Sequence, residues 1–240
     1  MAFRRFAAFC LPVLLGLAAP AAAASLDCGQ ARAGAETAEE KPVCSTPAPG
    51  AADAAHGARL RMVPQTEGTP GSRLYIRAER PEIAGPATPG AAFFNETVRR
   101  FVEGETGSFR ESSADLPEGM EAELVLTADV HIVAPGLLSV QFLGEGVQGN
   151  GFRYAAALTV DLARRQVPTP AQMFGSGSWP ATAISACRAA LGPDLAAECD
   201  GPDLKDPRSW RFEPDRAVAI LLLPGKELRE IALPFHPPAR

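Results

Sequence analysis

Apolar positions recur every second residue through most of the chain and every third or fourth in two places, and that contrast sets the predicted elements. In ARLRMV, Leu60 and Met62 fall on one side and Arg59 and Arg61 on the other; in SRLYIRA, Leu74 and Ile76 share a side. Both read as strands. ERPEIAGPATPG follows as a loop rich in proline and glycine. In AAFFNETVRRFVEGE the spacing changes. Phe94, Val98, Phe101 and Val102 stand at i, i+4, i+7 and i+8, with Glu96, Arg99, Arg100 and Glu103 turned outward. That is an amphipathic helix, predicted to end at Gly104 and Gly107.

The alternation returns in ELVLTADVHIV. Leu124, Leu126, Ala128, Val130 and Ile132 make one face; Thr127, Asp129 and His131 make the other. Pro135 and Gly136 mark a turn into LLSVQFL, whose Leu138, Val140 and Phe142 point inward. NGFRYAAALTVDLARR carries Phe152, Tyr154, Ala156, Leu158, Val160 and Leu162 at period two, a further strand. VPTPAQMFG breaks the sheet. GSWPATAISACRAALG reads as a second helix, with Ser178 as cap, Pro180 in the first turn, Ile184, Cys187 and Leu191 on one face, and Gly192 and Pro193 as the stop. PDLAAEC has room for one more turn. SWRFEP, RAVAILLLP and ELREIALPF are three short strands, the last two joined through Pro224 and Gly225. The order predicts an α+β fold, with a mainly antiparallel, meandering sheet and two main helices packed on one face.

One segment between strands looks like chemistry. FLGEGVQGNG places Gly144, Gly146 and Gly149 in the G-x-G-x-x-G order of a dinucleotide-binding loop. Such a loop opens a helix whose N-terminus holds the pyrophosphate. Here the residues that follow alternate at period two. The stretch about twenty positions on reads QVPTPAQMF, without the acidic residue that binds a ribose. The segment is therefore predicted to be a long hairpin loop, and no cofactor is expected. Glu145, Gln148 and Asn150 on this loop, with Arg153 just beyond it, are the candidate partner-binding residues.

Composition narrows the class. The chain has 240 residues, 46% hydrophobic and 21% charged, with net charge -5. That is ordinary for a globular protein and argues against a general nucleic-acid binder, which needs clustered Lys and Arg. The N-terminus is a basic MAFRR, an apolar FAAFCLPVLLGLAA, then Pro20 and small residues. It reads as a signal peptide cleaved near Ala23 or Ala24, which removes Cys10 and directs the chain to the periplasm or exterior. No later stretch is long and apolar enough to span a bilayer, so the mature form is expected to lack a transmembrane anchor. The expected organisation is 1–24 signal peptide, 25–57 Cys-containing segment and linker, and 58–237 the α+β domain, with halves 58–118 and 119–237.

Four cysteines remain in an exported chain, which favours disulfides. They allow three connectivities. Local pairing, Cys28 with Cys44 and Cys187 with Cys199, is chosen because each pair closes a short segment. No C-x-x-C occurs, and His56, His131 and His236 lie far from metal-ligand spacing, so no metal is expected.

Other candidate chemistry has a plainer reading beside it. FGSGSWP is not G-x-S-x-G, and Ser178 serves better as a helix cap. Asp129 and His131 share a strand face, which suits an acid–base pair or a solvated polar face. Glu118, Glu121 and Glu123 form an acidic run, the material of a glycosidase pair or of loop charge. Trp179, Trp210 and Tyr154 could be sugar platforms, and more often such rings belong to a core.

Two resemblances point in one direction. Leu138, Ser139, Val140 and Phe142, then the glycine-containing segment, then Thr159, Asp161 and Leu162, then Met173 and Phe174, resemble the C-terminal domain of RsiV-type anti-sigma factors, which also accompanies some peptidoglycan deacetylases. With the companion half before it, the resemblance covers roughly Ala58 to Phe235. The family's Gly-Ala-His-type segment has no histidine here, and its last glycine-containing loop is shortened to Pro224-Gly225. No sigma-binding region or deacetylase domain is visible, which argues against those roles. Separately, Asp27, Cys28, Ala31, Glu39 or Glu40, Val43 and Cys44 resemble the start of LprI-like lysozyme-inhibitor proteins. Both families include lysozyme binders. The resemblances imply a non-enzymatic envelope protein binding a lysozyme-like muramidase or peptidoglycan; lysozyme is basic and this chain mildly acidic, so attraction is physically plausible. The alternatives are an envelope glycan or ester hydrolase using Asp129 and His131, and a structural accessory domain without a ligand.

Overall fold

The period-two segments become strands and the two helical patterns become helices. The computed structural model describes residues 40–42, 59–175, 177–200 and 203–238. The expected signal peptide and the Cys28–Cys44 pair lie outside the described residues. In chain order the elements are β1 (Glu40–Pro42), β2 (Arg59–Glu67), β3 (Leu74–Ala84), α1 (Pro89–Ala114), β4 (Ala122–Ala134), β5 (Leu137–Gln148), β6 (Asn150–Asp161), α2 (Pro170–Phe174), α3 (Trp179–Leu191), β7 (Trp210–Phe212), β8 (Arg216–Leu223) and β9 (Glu227–Pro234). Single 3-10 segments cover Pro193–Asp200, Asp203–Lys205 and Pro207–Ser209.

The fold is α+β, but its strands divide between two sheets. β1 to β6 form one in chain order, and β7-β8-β9 form another. Every pairing is antiparallel except β3 with β4. That exception follows from α1, which carries the chain back so that β4 starts where β3 started, as a crossover must.

Helix α1 covers one face of the large sheet. Phe94, Val98 and Val102 are fully buried against Leu126, Val140, Phe142 and Val160. Phe101 stacks on Phe142 with ring centroids 4.5 Å apart. Each such side chain contributes roughly 1.5–3 kcal/mol by leaving water. Thr88 caps the helix by accepting from the Ala91 N–H, and Pro89 fits the first turn. Asn95 then fastens helix to strand: its amide accepts from Ile83 N at 2.7 Å and donates to Ile83 O at 3.0 Å.

The helix does not stop at Gly104 and Gly107; it runs on to Ala114. A glycine inside a helix costs about 1 kcal/mol against alanine. Beyond the glycines the inward stripe continues through Phe109 and Ser113, and burying Phe109 against Ile76 and Leu124 offsets that penalty.

The other face of the large sheet takes the small sheet. Positions 139 and 141 of β5 point away from α1, and there the Ser139 hydroxyl accepts the Phe212 N–H at 3.1 Å. The far face of the small sheet carries Ala217, Ala219, Leu221, Leu223, Ile231 and Leu233, which pack with Ala183 and Cys187 of α3. The order of layers is therefore α1, large sheet, small sheet, α3, and not two helices on one face. Phe174 of α2 sits among Trp179, Trp210, Phe212 and Phe235, with centroids 5.3 to 5.8 Å from its own. Ser178 stands at the N-cap of α3 without a side-chain capping hydrogen bond.

Cys187 and Cys199 form the expected disulfide, both sulfurs fully buried. It ties α3 to the 3-10 segment across a separation of 12 residues. Replacing both cysteines with alanine is expected to cost about 2 kcal/mol, the low end of the usual range because the loop is short. Urea melts of the oxidised protein and the double variant would show this. Equal midpoints would mean that the bridge adds nothing.

Candidate functional site

The glycine segment is not a long loop. β5 runs through Gly144 and Gly146 to Gln148, and β6 begins at Asn150, so only Gly149, with φ 73, makes the turn. The glycines at 144 and 146 are packing devices. A Cβ on Gly144 would lie 2.1 Å from the Tyr154 ring, which occupies that space. A Cβ on Gly146 would lie 1.8 Å from the Glu123 carbonyl oxygen. The dinucleotide-like spelling thus records where an aromatic ring and a neighbouring strand come close to the backbone.

The four candidate residues lie around this tip but on two faces. Glu145 and Arg153 are cross-strand partners on the face away from α1, joined by an ion pair of 2.6 Å with both side chains about half exposed (49% and 47%). Gln148 points to the other side. Its amide donates to Ser112 Oγ at 2.7 Å and Ser113 Oγ at 3.1 Å, tying the tip to the end of α1. Asn150 is exposed at the turn. Val147 is 46% exposed and Met120 is 40% exposed. The Met120 methyl would touch a Cβ placed on Gly149, so both apolar chains border the tip. Glu118 and Glu121 are exposed nearby and Glu123 is half-buried. From the β8–β9 turn, the Lys226 ammonium donates to the Gly151 carbonyl.

A second polar cluster fills the joint between the sheets, and the sequence reading missed most of it. Arg211 lies between Trp210 and Phe212 on β7, so those rings enter the core and the guanidinium points back at the large sheet. It donates to Glu213 Oε1 at 3.1 Å, to both Glu230 oxygens at 2.6 and 3.0 Å, and to Gln141 Oε1. Arg216 donates to Glu213 from the other side at 2.8 Å. Burial pushes the Glu213 carboxyl up, but the Arg216 hydrogen bond and the charges of Arg211, His131 and Arg216 more than offset it, so its pKa falls below the usual value. The sequence signal was two charged residues alternating with two aromatics in WRFE, which alone looks like a half-solvated strand.

Asp129 and His131 do meet, with Asp129 Oδ2 3.3 Å from His131 Nε2, at the edge of this cluster. His131 pairs across the ladder with Ser139, which completes the residue types of an acid–base–nucleophile set. Ser139 is no nucleophile, however. It is fully buried, and its oxygen accepts from both Thr159 Oγ1 and Phe212 N. The hydroxyl serves to lock the sheets.

The aromatic candidates are core or core-edge residues. Trp210 is fully buried and donates its indole N–H to Leu204 O at 3.0 Å. Trp179 stacks on Phe174. Tyr154 is half-buried over Gly144; burial, and then the charge and hydrogen bond of Glu105, push its phenol above the ordinary range. A pit lined by Leu137, Asp161, Arg164, Gln166, Gln172 and Met173 has a volume of about 20 Å³, room for a single water. Among the described residues no group of three or more His, Cys, Asp or Glu is arranged to hold a metal, and no helix is long and apolar enough to cross a membrane.

No family model matches the chain, and no curated protein matches it. Solved structures do. A DUF3298 family member from Bacteroides fragilis NCTC 9343 is similar with a TM-score of 0.55 at 11% identity, over 74% of this chain and 91% of its own. A DUF3298 family protein from Pseudomonas aeruginosa PAO1 is similar with a TM-score of 0.50 at 14% identity, over 73% of this chain and 89% of its own. That family is related to the RsiV-type C-terminal domains. At such identities the likeness is one of fold: the chain folds like DUF3298 proteins along most of their length.

Proposed function

We propose that this chain is an exported envelope protein that binds a macromolecular partner through the β5–β6 tip, and that the partner is a lysozyme-like muramidase or the peptidoglycan on which such enzymes act. The observation that carries the reading is the tip itself, where exposed Val147 and Met120 flank a turn bordered by the Glu145–Arg153 pair. Contact surfaces of this kind combine an apolar centre with a polar rim. Residues 111 to 123 read ESSADLPEGMEAE, with five carboxylates and no lysine or arginine, which suits a basic partner. The buried Cys187–Cys199 bridge fits an oxidising compartment.

Titrating the mature protein with lysozyme, and separately with purified peptidoglycan, tests the reading. Saturable binding to one of them is expected, weakening with salt if the partner is the basic protein. Val147→Asp is expected to weaken that binding about tenfold, or ~1.4 kcal/mol, without moving the unfolding midpoint. Absence of binding to both ligands would sink the proposal.

A further inference from the structure

We propose that His131 is a pH-sensing contact in the joint between the two sheets, and that its protonation tightens the small sheet onto the large one. The placement comes from register. His131 stands beside Ser139, Ser139 Oγ takes the Phe212 N–H, and Glu213 is the next residue along. His131 therefore stands between a carboxylate on its own strand, Asp129 at 3.3 Å, and a buried carboxylate on the small sheet's side, Glu213. Glu213 senses the histidine's charge, which lowers its own pKa.

The charged groups facing this joint among the described residues are Asp129 from β4, Arg211 from β7, Glu213 just after it, Arg216 from β8 and Glu230 from β9. β5 contributes only the uncharged Ser139 and Gln141. The two guanidiniums oppose a further cation, but each already holds a carboxylate: Arg211 grips Glu230, and Arg216 grips Glu213. Asp129 is the anion nearest the ring and sets the sign. An imidazolium there bridges the sheets; a neutral imidazole does not.

The linkage has two limits. A histidine whose charged form is favoured in the folded state stabilises fully below its unfolded value of ~6.5, and that contribution is lost as pH rises through the folded value. Glu213, held below the ordinary 4.5, stabilises above that value, and its contribution is lost as pH falls through its folded pKa. The joint is therefore tightest between these limits, in mildly acidic solution.

The test is an NMR titration of the histidine Cε1 signals in the full mature chain, with His131 assigned through His131→Gln. The His131 midpoint is expected at least about half a unit above the ~6.5 of a free histidine, falling by a similar amount in Asp129→Asn, an exposed and well-tolerated change. Thermal melts of the native protein should rise between pH 8 and pH 6, and His131→Gln should lack that increment. Amides of β7 to β9 should exchange more slowly at pH 6 than at pH 8 once intrinsic rates are corrected. A His131 midpoint at or below that of a free histidine overturns the proposal. So does an identical pH slope in the native protein and His131→Gln. Neither readout depends on whether the tip binds a partner, or on whether Glu213→Gln folds.

Discussion

Arg211→Ala is expected to lower the free energy of unfolding by about 3 kcal/mol, read from the urea midpoint. The side chain is 8% exposed, and its guanidinium meets two carboxylates and the Gln141 amide oxygen. Removing one member of a buried charge network strands the others. Glu213, 3% exposed at its side chain, keeps only Arg216 among the guanidiniums that hold it, and Gln141 loses its donor. Breaking buried pairs in this way costs about 3–5 kcal/mol, and the surviving Arg216 contact puts this case at the low end. Arg211→Met separates charge from packing, because it keeps most of the apolar stem. It should lose nearly as much as alanine, and adding Glu213→Leu should restore part of the loss. If Arg211→Ala changes stability by less than about 1 kcal/mol, the network behaves as a solvated surface cluster and the sheets are held by apolar packing alone.

That network shows where the sequence stopped being informative. Period-two alternation identified β4, β5 and β6 because their inward residues, Leu126, Phe142 and Val160 among them, meet a hydrophobic helix. It could not say that the opposite face of β5 is also covered. Ser139 and Gln141 look like solvent-facing polar positions until β7 brings Arg211 and Phe212 against them. The split into two sheets was illegible for the same reason: a strand's own pattern reports that a face is buried, not which strand buries it. The end of α1 was misread because two glycines outweighed one phenylalanine in the local pattern, while tertiary packing of Phe109 reversed the balance. At the candidate site, Glu145 and Arg153 were recognisable as exposed residues, and the hairpin register makes them partners. Gln148 had no sequence signal for its bond to α1, since Ser112 and Ser113 lie 36 and 35 positions away.

Gly146→Ala should be nearly as damaging as Arg211→Ala, about 3 kcal/mol, at the upper end of the range for overpacking. The methyl would sit 1.8 Å from the Glu123 carbonyl oxygen, which belongs to the backbone of the adjacent strand and has no rotamer to escape into. Relief requires β4 and β5 to part where the ladder pairs Leu124 with Gly146 and Glu123 with Val147. Gly144→Ala is the instructive contrast. Its methyl would meet the Tyr154 ring at 2.1 Å, but a ring can swing aside at the expense of its contact with Glu105. A smaller loss is expected there, about 1–2 kcal/mol. The two variants also divide the tip's possible roles. Parting β4 from β5 moves the Val147 and Glu145 side chains, so Gly146→Ala should weaken partner binding as well as stability, whereas Gly144→Ala should act on stability alone. Urea midpoints with partner titrations on the same samples would show the difference. Equal losses of stability would mean that β4 and β5 yield as easily as a side chain. The G-x-G-x-x-G order would then reflect tolerance at the tip and not close contact.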